Sequence, residues 1–448
     1  MPRTNTSRTA KRSLAVIAAL ALVLAACVPG GESEESPDDG SDQDVSTELS
    51  SEEVTLEMSF IDGPDMVDQL VAAFTEENPH VTINAEFTTF ADYVRQITLA
   101  MTSDTAPDIA QYNPGAMKEL IVEDELLRLD PYSDAYGWTD SFPGVSLEQL
   151  MSDEEAQVYG EGNLYAVPGG LSLTGLFYNK SVAADLGISE MPQTIGELET
   201  QLETAREAGV TPIMVGALDS AGIHMWGAML NVYMPADEYR DWVNGVDGGN
   251  IDTPDALEAT EKFAEWAAAG YFNESANGIG QADATAQFAA GESLFLINGN
   301  WAAAQIDQEM GDDAGFIAFP RLDEGDPVMG NGFSVSYSIS SRSETADAAA
   351  AFFDFLASET AAPIIAQNGF LPPNAEAAPD QGGVLDELTA EFRQVVADDG
   401  INSFPDFAAP EILDELVSGI QSMIAERMEP ADFLASIQEI RDTYHEES

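Results

Sequence analysis

Residues 54–83 constrain the fold of this chain more than any other stretch. Val54, Leu56, Met58 and Phe60 alternate onto one face, as a half-buried strand requires, and Asp62-Gly63-Pro64 then reads as a turn. Met66, Val67, Leu70, Val71 and Phe74 follow at the spacing of a helix with one apolar face, and Asn78-Pro79 stops it. Val81-Thr82-Ile83 begins a second strand. Strand, helix and strand in so short a span form a βαβ unit, which implies a parallel sheet with a right-handed crossover.

The alternation continues downstream. Helical spacing covers 93–102, 116–120, 195–208, 256–269, 282–291 and 346–358, with two further helices over 410–427 and 430–445. Short apolar strands read at 109–112, 165–168, 176–180, 212–215 and 293–297. No internal repeat is visible. Residues 54–448 exceed what one hydrophobic core supports, so the expected class is α/β with two lobes, each built on a parallel or mixed sheet flanked by helices.

The first residues bear on location. Arg3, Arg8, Lys11 and Arg12 precede the mostly apolar run 14–26, which is shorter than the ~20 residues a membrane-spanning helix needs. That pattern predicts a signal peptide over 1–26. Leu24-Ala25-Ala26-Cys27 resembles the bacterial lipobox, which implies cleavage before Cys27 and lipidation of its thiol. Cys27 is the single cysteine of the chain, so it has no disulfide partner. Residues 27–53 are rich in Ser, Asp, Glu, Gly and Pro, with no basic or aromatic residue, and are expected to be an acidic, disordered tether.

Charge excludes whole classes of partner. The full chain carries a net charge of −64, and loss of residues 1–26 leaves twelve basic against eighty acidic residues, a net −68. Nucleic acid and anionic lipid surfaces are bound through Lys and Arg, which are scarce here. Self-repulsion on this scale opposes a compact state unless salt screens it, so a saline, halophilic setting is expected.

In chain order, the motifs FTEENP (74–79), TAPDIAQY (105–112), GNLYAVP (162–168), LFYNK (176–180), MPQTIGEL (191–198), FAAGESLFLINGNW (288–301) and GNGFSV (330–335), then the segment 349–374, resemble the extracellular solute-binding protein family 1 of ABC importers, whose best-known members bind maltose and other oligosaccharides. The order, covering nearly all of 54–445, is more specific than any one piece. The resemblance implies two lobes, 54–171 with 333–373 and 172–332 with 374–448. By analogy the chain crosses between them near 169–174, 330–336 and 371–374. It further implies a monomeric receptor without a cofactor, which closes on a mono- or oligosaccharide and docks on permease subunits.

A sugar offers hydroxyls at its edge and apolar C–H faces, so its site calls for aromatic planes and fixed polar groups. The resemblance places an aromatic platform at Trp301, next to Asn300, although a tryptophan at a helix start can also be core, and a second aromatic at Tyr112, flanked by Gln111 and Asn113, which can bond hydroxyls or merely cap the next helix. Asp62, just past the first strand, can accept two hydroxyls, or it can serve the turn before the next helix. His224 and Trp226 fall in a stretch resembling the cleft wall of the second lobe. Asn331 and Gly332 suggest backbone close to a ligand, a hinge, or a plain turn. Ser172 stands where maltose binders carry a carboxylate, which argues against maltose itself.

Two rivals remain. A lipid-anchored hydrolase would need a metal motif or a nucleophile elbow, and neither His-Glu-x-x-His nor Gly-x-Ser-x-Gly occurs. The same fold with another cargo, such as a polyamine, fits the acidity, although that acidity is spread over the whole chain.

Overall fold

The computed structural model describes residues 45–142, 144–373 and 380–447. The signal peptide, Cys27, the first part of the tether and Asn374 lie outside these residues.

The alternating segment forms the strand Val54–Phe60, which runs parallel to Val81–Phe87 along its whole length and to Ile109–Gln111 through Met58 and Ser59. Between the first two strands lies the helix Pro64–Glu77, begun by Pro64, whose missing N–H is no loss in a first turn, and ended at Asn78. Its buried stripe is Met66, Val67, Leu70 and Phe74. Phe74 packs edge-on against Phe352 and Phe355 of the helix Ala346–Phe355, at 5.3 and 5.6 Å, and truncation of such a ring costs about 3–5 kcal/mol.

Two later strands complete this first sheet. Ser334–Ile339 pairs antiparallel with Ile109–Gln111 on one side and Val167–Leu171 on the other, giving a five-stranded mixed sheet. The second sheet has four strands in the order Ala314–Ile317, Thr174–Asn179, Ser293–Gly299 and Thr211–Met214. Only its last pair is parallel. The helices Ile195–Glu207, Ala221–Tyr233, Gln281–Ala289 and Gly383–Ala397 cover it. Ile195–Glu207 opens with a reciprocal cap: Thr194 accepts from the Glu197 amide, and Glu197 accepts from the Thr194 amide.

The chain passes between the sheets more than once, the first time through a very short segment. Only Ser172 and Leu173 separate Val167–Leu171 in the first sheet from Thr174–Asn179 in the second. A later passage runs through Gly330–Asn331, which pairs with Ile401–Asn402, and enters the first sheet at Ser334. A third approaches at Leu371, bridged to Leu171. Among the described residues no helix is long and apolar enough to cross a membrane.

Candidate functional site

The candidate residues divide into two kinds. The first kind holds the crossovers together. Asn300 is fully buried: its Oδ1 accepts from the Leu173 amide at 3.0 Å, and its Nδ2 donates to the carbonyl oxygens of Leu171 and Gly369 at 3.0 and 2.8 Å. Asn331, also fully buried, accepts from Asn231 at 3.0 Å and donates to the Tyr239 hydroxyl and the Ser403 carbonyl at 3.0 and 2.8 Å. The Ser172 hydroxyl donates to the Phe333 carbonyl at 2.7 Å. At Gly332 a Cβ would stand 2.4 Å from the Ser172 carbonyl oxygen, so the two crossovers approach as closely as only glycine permits. These groups are saturated within the protein and have little left to offer a ligand.

Several other candidates are also committed. Asn113 caps the helix Pro114–Val122 by accepting from Ala116 at 2.9 Å. Gln111 accepts from the amides of Ile61 and Asp62 at 2.9 and 3.1 Å and donates to Asp62 Oδ2 at 2.7 Å. Tyr112 is withdrawn by burial alone, its hydroxyl having no hydrogen-bond partner among the described residues, and burial pushes its phenol up. Trp226 is fully buried, packed on Phe433 at 5.1 Å and donating to Thr260 at 3.0 Å. The expectation that Trp226 forms part of the cleft wall is therefore corrected: the helix Ala221–Tyr233 turns that ring into the core and His224 the other way.

The second kind remains available. Trp301 is the one tryptophan of five that is not fully buried. It lies in the single 3-10 turn Asn300–Ala302 between the strand Ser293–Gly299 and the helix that starts at Ala303. Its ring meets His224 at 5.4 Å and Phe404 at 6.3 Å, and His224 meets Phe404 at 5.6 Å. Gln281 fixes the indole by accepting from Trp301 Nε1 at 3.0 Å, and the Gln281 amide donates to the Asp219 carboxylate at 3.0 Å. Beside this aromatic wall, His224 Nδ1 and Gln281 Nε2 are buried with no hydrogen-bond partner among the described residues. Burial holds the His224 imidazole down to about 4, so it is neutral over physiological pH and offers one donor and one acceptor.

Asp62 lies just past the strand Val54–Phe60 of the first sheet, its carboxylate held by Gln111. Burial pushes its carboxyl up to about 6, against the opposing hydrogen bond from Gln111. Nearby, Tyr337 keeps its hydroxyl buried with no partner among the described residues. A cleft of about 570 Å³ opens between Phe90, Arg95 and Asn113 on one side and Asp219, Asp406 and Asp414 on the other. It does not include Trp301, but Asp219 joins the two through Gln281. Burial pushes Asp406 up to about 6 as well. Gln281, Asp219, Phe404 and Asp406 carry no motif, and no pattern in the sequence singles them out.

The arrangement combines flat aromatic faces with unsatisfied neutral donors and acceptors at the passage between two sheets. Such a surface binds a polar, partly apolar small molecule, and Arg95 is the single cation in the lining of the adjoining cleft, against Asp219, Asp406, Glu411 and Asp414.

The family described as bacterial extracellular solute-binding protein matches residues 69–390. A multiple sugar-binding protein of Streptococcus mutans is 22% identical over 295 residues, covering 64% of this chain and 67% of that protein. Among solved structures, a chitin oligosaccharide binding protein superposes with a TM-score of 0.74 at 19% identity, covering 88% of this chain and 99% of the other. The GacH receptor of Streptomyces glaucescens, solved unliganded and with acarbose, gives a TM-score of 0.67 at 18% identity, covering 89% and 98%. At these identities the structural likeness establishes the two-lobed α/β fold.

Proposed function

The chain belongs to the bacterial extracellular solute-binding proteins, and we propose that it is the substrate-binding component of an ABC importer that captures a mono- or oligosaccharide and delivers it to the permease. One observation carries the sugar reading: Trp301 is left accessible and held flat by Gln281, flanked by His224 and Phe404, with two polar atoms at its edge that have no partner among the described residues. A pyranose stacks its C–H face on such a plane and bonds its hydroxyls to such atoms. The sugar-binding names of the relatives support the same class. In this reading the ligand contacts are Trp301, His224, Gln281, Asp219 and Asp62. The lobes are 54–171 with 333–373 and 172–332 with 374–448, and they close by a hinge at the crossovers.

Location follows in two steps. The family is extracellular, and the lipobox-like sequence supports anchoring to the cell membrane through a diacylglyceryl group on Cys27, since two acyl chains are needed for stable attachment. A Cys27→Ser chain is then expected in the medium rather than the membrane fraction.

Titration calorimetry against mono- and oligosaccharides, polyamines and amino acids tests the function. A sugar should bind and perturb the fluorescence of Trp301, the other four tryptophans being buried. Tight binding of a polyamine with no response to any sugar would overturn the sugar assignment and favour a cationic cargo in the acidic cleft.

A further inference from the structure

The C-terminal helix Pro430–Glu447 packs against Pro254–Ala268 and Ile412–Ile424, which in turn pack on Ala221–Tyr233 beside the second sheet. Its last turn nevertheless reaches the segment that leads into the first sheet. The Tyr444 hydroxyl donates to the Ala156 carbonyl at 3.2 Å, and His445 Nδ1 lies 2.5 Å from Gln157 Oε1. Alongside, the Tyr159 amide donates to the Asn244 carbonyl at 2.9 Å. Gly245, with φ of +82°, passes so close that a Cβ there would stand 1.8 Å from the Gln157 carbonyl oxygen. These contacts bridge the two bodies away from the crossovers.

Lys118 is enclosed in this junction. It sits on the helix Pro114–Val122, which follows a strand of the first sheet, and its side chain is fully buried. Its Nζ has no hydrogen-bond partner among the described residues and lies 4.7 Å from the centre of the Tyr159 ring and 5.1 Å from that of Tyr444. Two ring faces attract an ammonium, yet they do not replace the three hydrogen bonds it makes in water. The surrounding charges do not supply them either. Asp153, on the adjoining segment, already accepts from the amides of Gln157 and Val158. Arg441, on the C-terminal helix, is pinned by the carbonyls of Trp242 and Val246 at 2.9 and 2.8 Å and repels a second cation. Glu119, Asp247, Asp442 and His445, with the phenol of Tyr112, are further titratable groups around the junction.

We propose that this junction is a proton-operated latch between the two bodies: the last turn of the C-terminal helix seats while Lys118 is uncharged and is driven off when Lys118 takes a proton and must reach water. The titration fits. Burial, and then Arg441, hold Lys118 down to about 7 against the opposing pull of Asp153. His445 is held down to about 4 by burial, with Arg441 and Lys118 adding to it, and so stays neutral in this range. Because the seated form prefers the neutral lysine, seating strengthens as pH rises above about 7 and weakens as it falls. With an ordinary lysine value for the released form, linkage gives about a hundredfold weakening between pH 9 and pH 6. The identity of the ligand does not enter.

Hydrogen exchange of the full chain, read by mass spectrometry over 151–160 and 436–447 and corrected for intrinsic rates, tests the latch. Wild type should lose about a hundredfold of protection in both segments from pH 9 to pH 6. Lys118→Met, similar in shape and without a charge, should stay protected throughout, and Lys118→Arg should be unprotected throughout. A Lys118→Met profile that follows wild type, or a Lys118→Arg chain as protected as wild type at pH 9, would overturn the proposal. Global melting of each variant is recorded alongside, and if the arginine chain does not fold, the methionine comparison decides.

Discussion

Replacing Asn300 with alanine separates the two roles an asparagine can play at this place. The side chain makes three buried hydrogen bonds to backbone, and each partner can be followed after truncation. The Leu171 carbonyl retains the Leu371 amide at 3.3 Å. The Leu173 amide and the Gly369 carbonyl lose the partners that Asn300 supplied. Two orphaned buried groups at about 1–3 kcal/mol each give about 4 kcal/mol, less whatever entering water restores. A body of this size loses roughly 2–4 °C of melting temperature per kcal/mol, so the expected fall is roughly 8–16 °C. Calorimetric melting of Asn300→Ala beside Trp301→Ala measures it. If Asn300 is instead a ligand contact, the truncation would shift melting by less than about 2 °C while abolishing solute binding, and the staple assignment would be wrong.

Other outcomes follow from the same geometry. Trp301→Ala should weaken sugar binding by at least about tenfold, the equivalent of about 1.4 kcal/mol of lost stacking, and abolish the fluorescence response, with little change in melting. Asp62 and Asp406 hold folded values raised to about 6, so their neutral forms favour the folded state below about pH 4 and that contribution is lost as pH rises through 6. Asp406→Asn should therefore flatten the fall in melting temperature between pH 4 and pH 7, as measured by scanning calorimetry. The net charge of −64 predicts a melting temperature that climbs with sodium chloride, since the screening length shrinks to about 3 Å at 1 M; a flat profile in a salt titration would count against charge repulsion as a limiting term.

The sequence is most legible where apolar spacing has a single period. Val54 to Phe60 and Met66 to Phe74 announce a strand and a helix because only one face of each is buried, and the structure forms both within a residue or two of the spacing. The helix Ala221–Tyr233 gives no such signal: residues Ala221 to Asn231 are all buried, so there is no polar face to set a period, and its two aromatic candidates could not be told apart. Only the fold turns Trp226 toward Phe433 and His224 toward Trp301. The site is harder still, because its polar members come from separated segments. Gln281 and Asp219 are 62 residues apart and meet through one backbone amide, a contact that no local pattern encodes.

Asn300 and Asn331 share a further reason for being misread. Asn300 follows a strand end and Asn331 lies in a two-residue strand, both next to glycine, where a ligand contact and a backbone staple call for the same residue type, an amide that donates and accepts at once. The distinction lies in what approaches. At Asn300 the neighbouring crossovers, and at Asn331 Asn231, Tyr239 and Ser403, come within hydrogen-bonding range and saturate the side chain before a solute could. This stitching also constrains the proposed closure. With Ser172 and Leu173 as the whole of one crossover, and the others tied to it by Asn300, Ser172 and Gly332, the crossovers cannot slide past one another. Relative motion is confined to rotation about the stitched strip, which leaves the cleft wall at Asp219 and Asp406 and the junction at Lys118 as the contacts that must change. Affinity for the solute is then set as much by how firmly those contacts resist or favour rotation as by the face of Trp301.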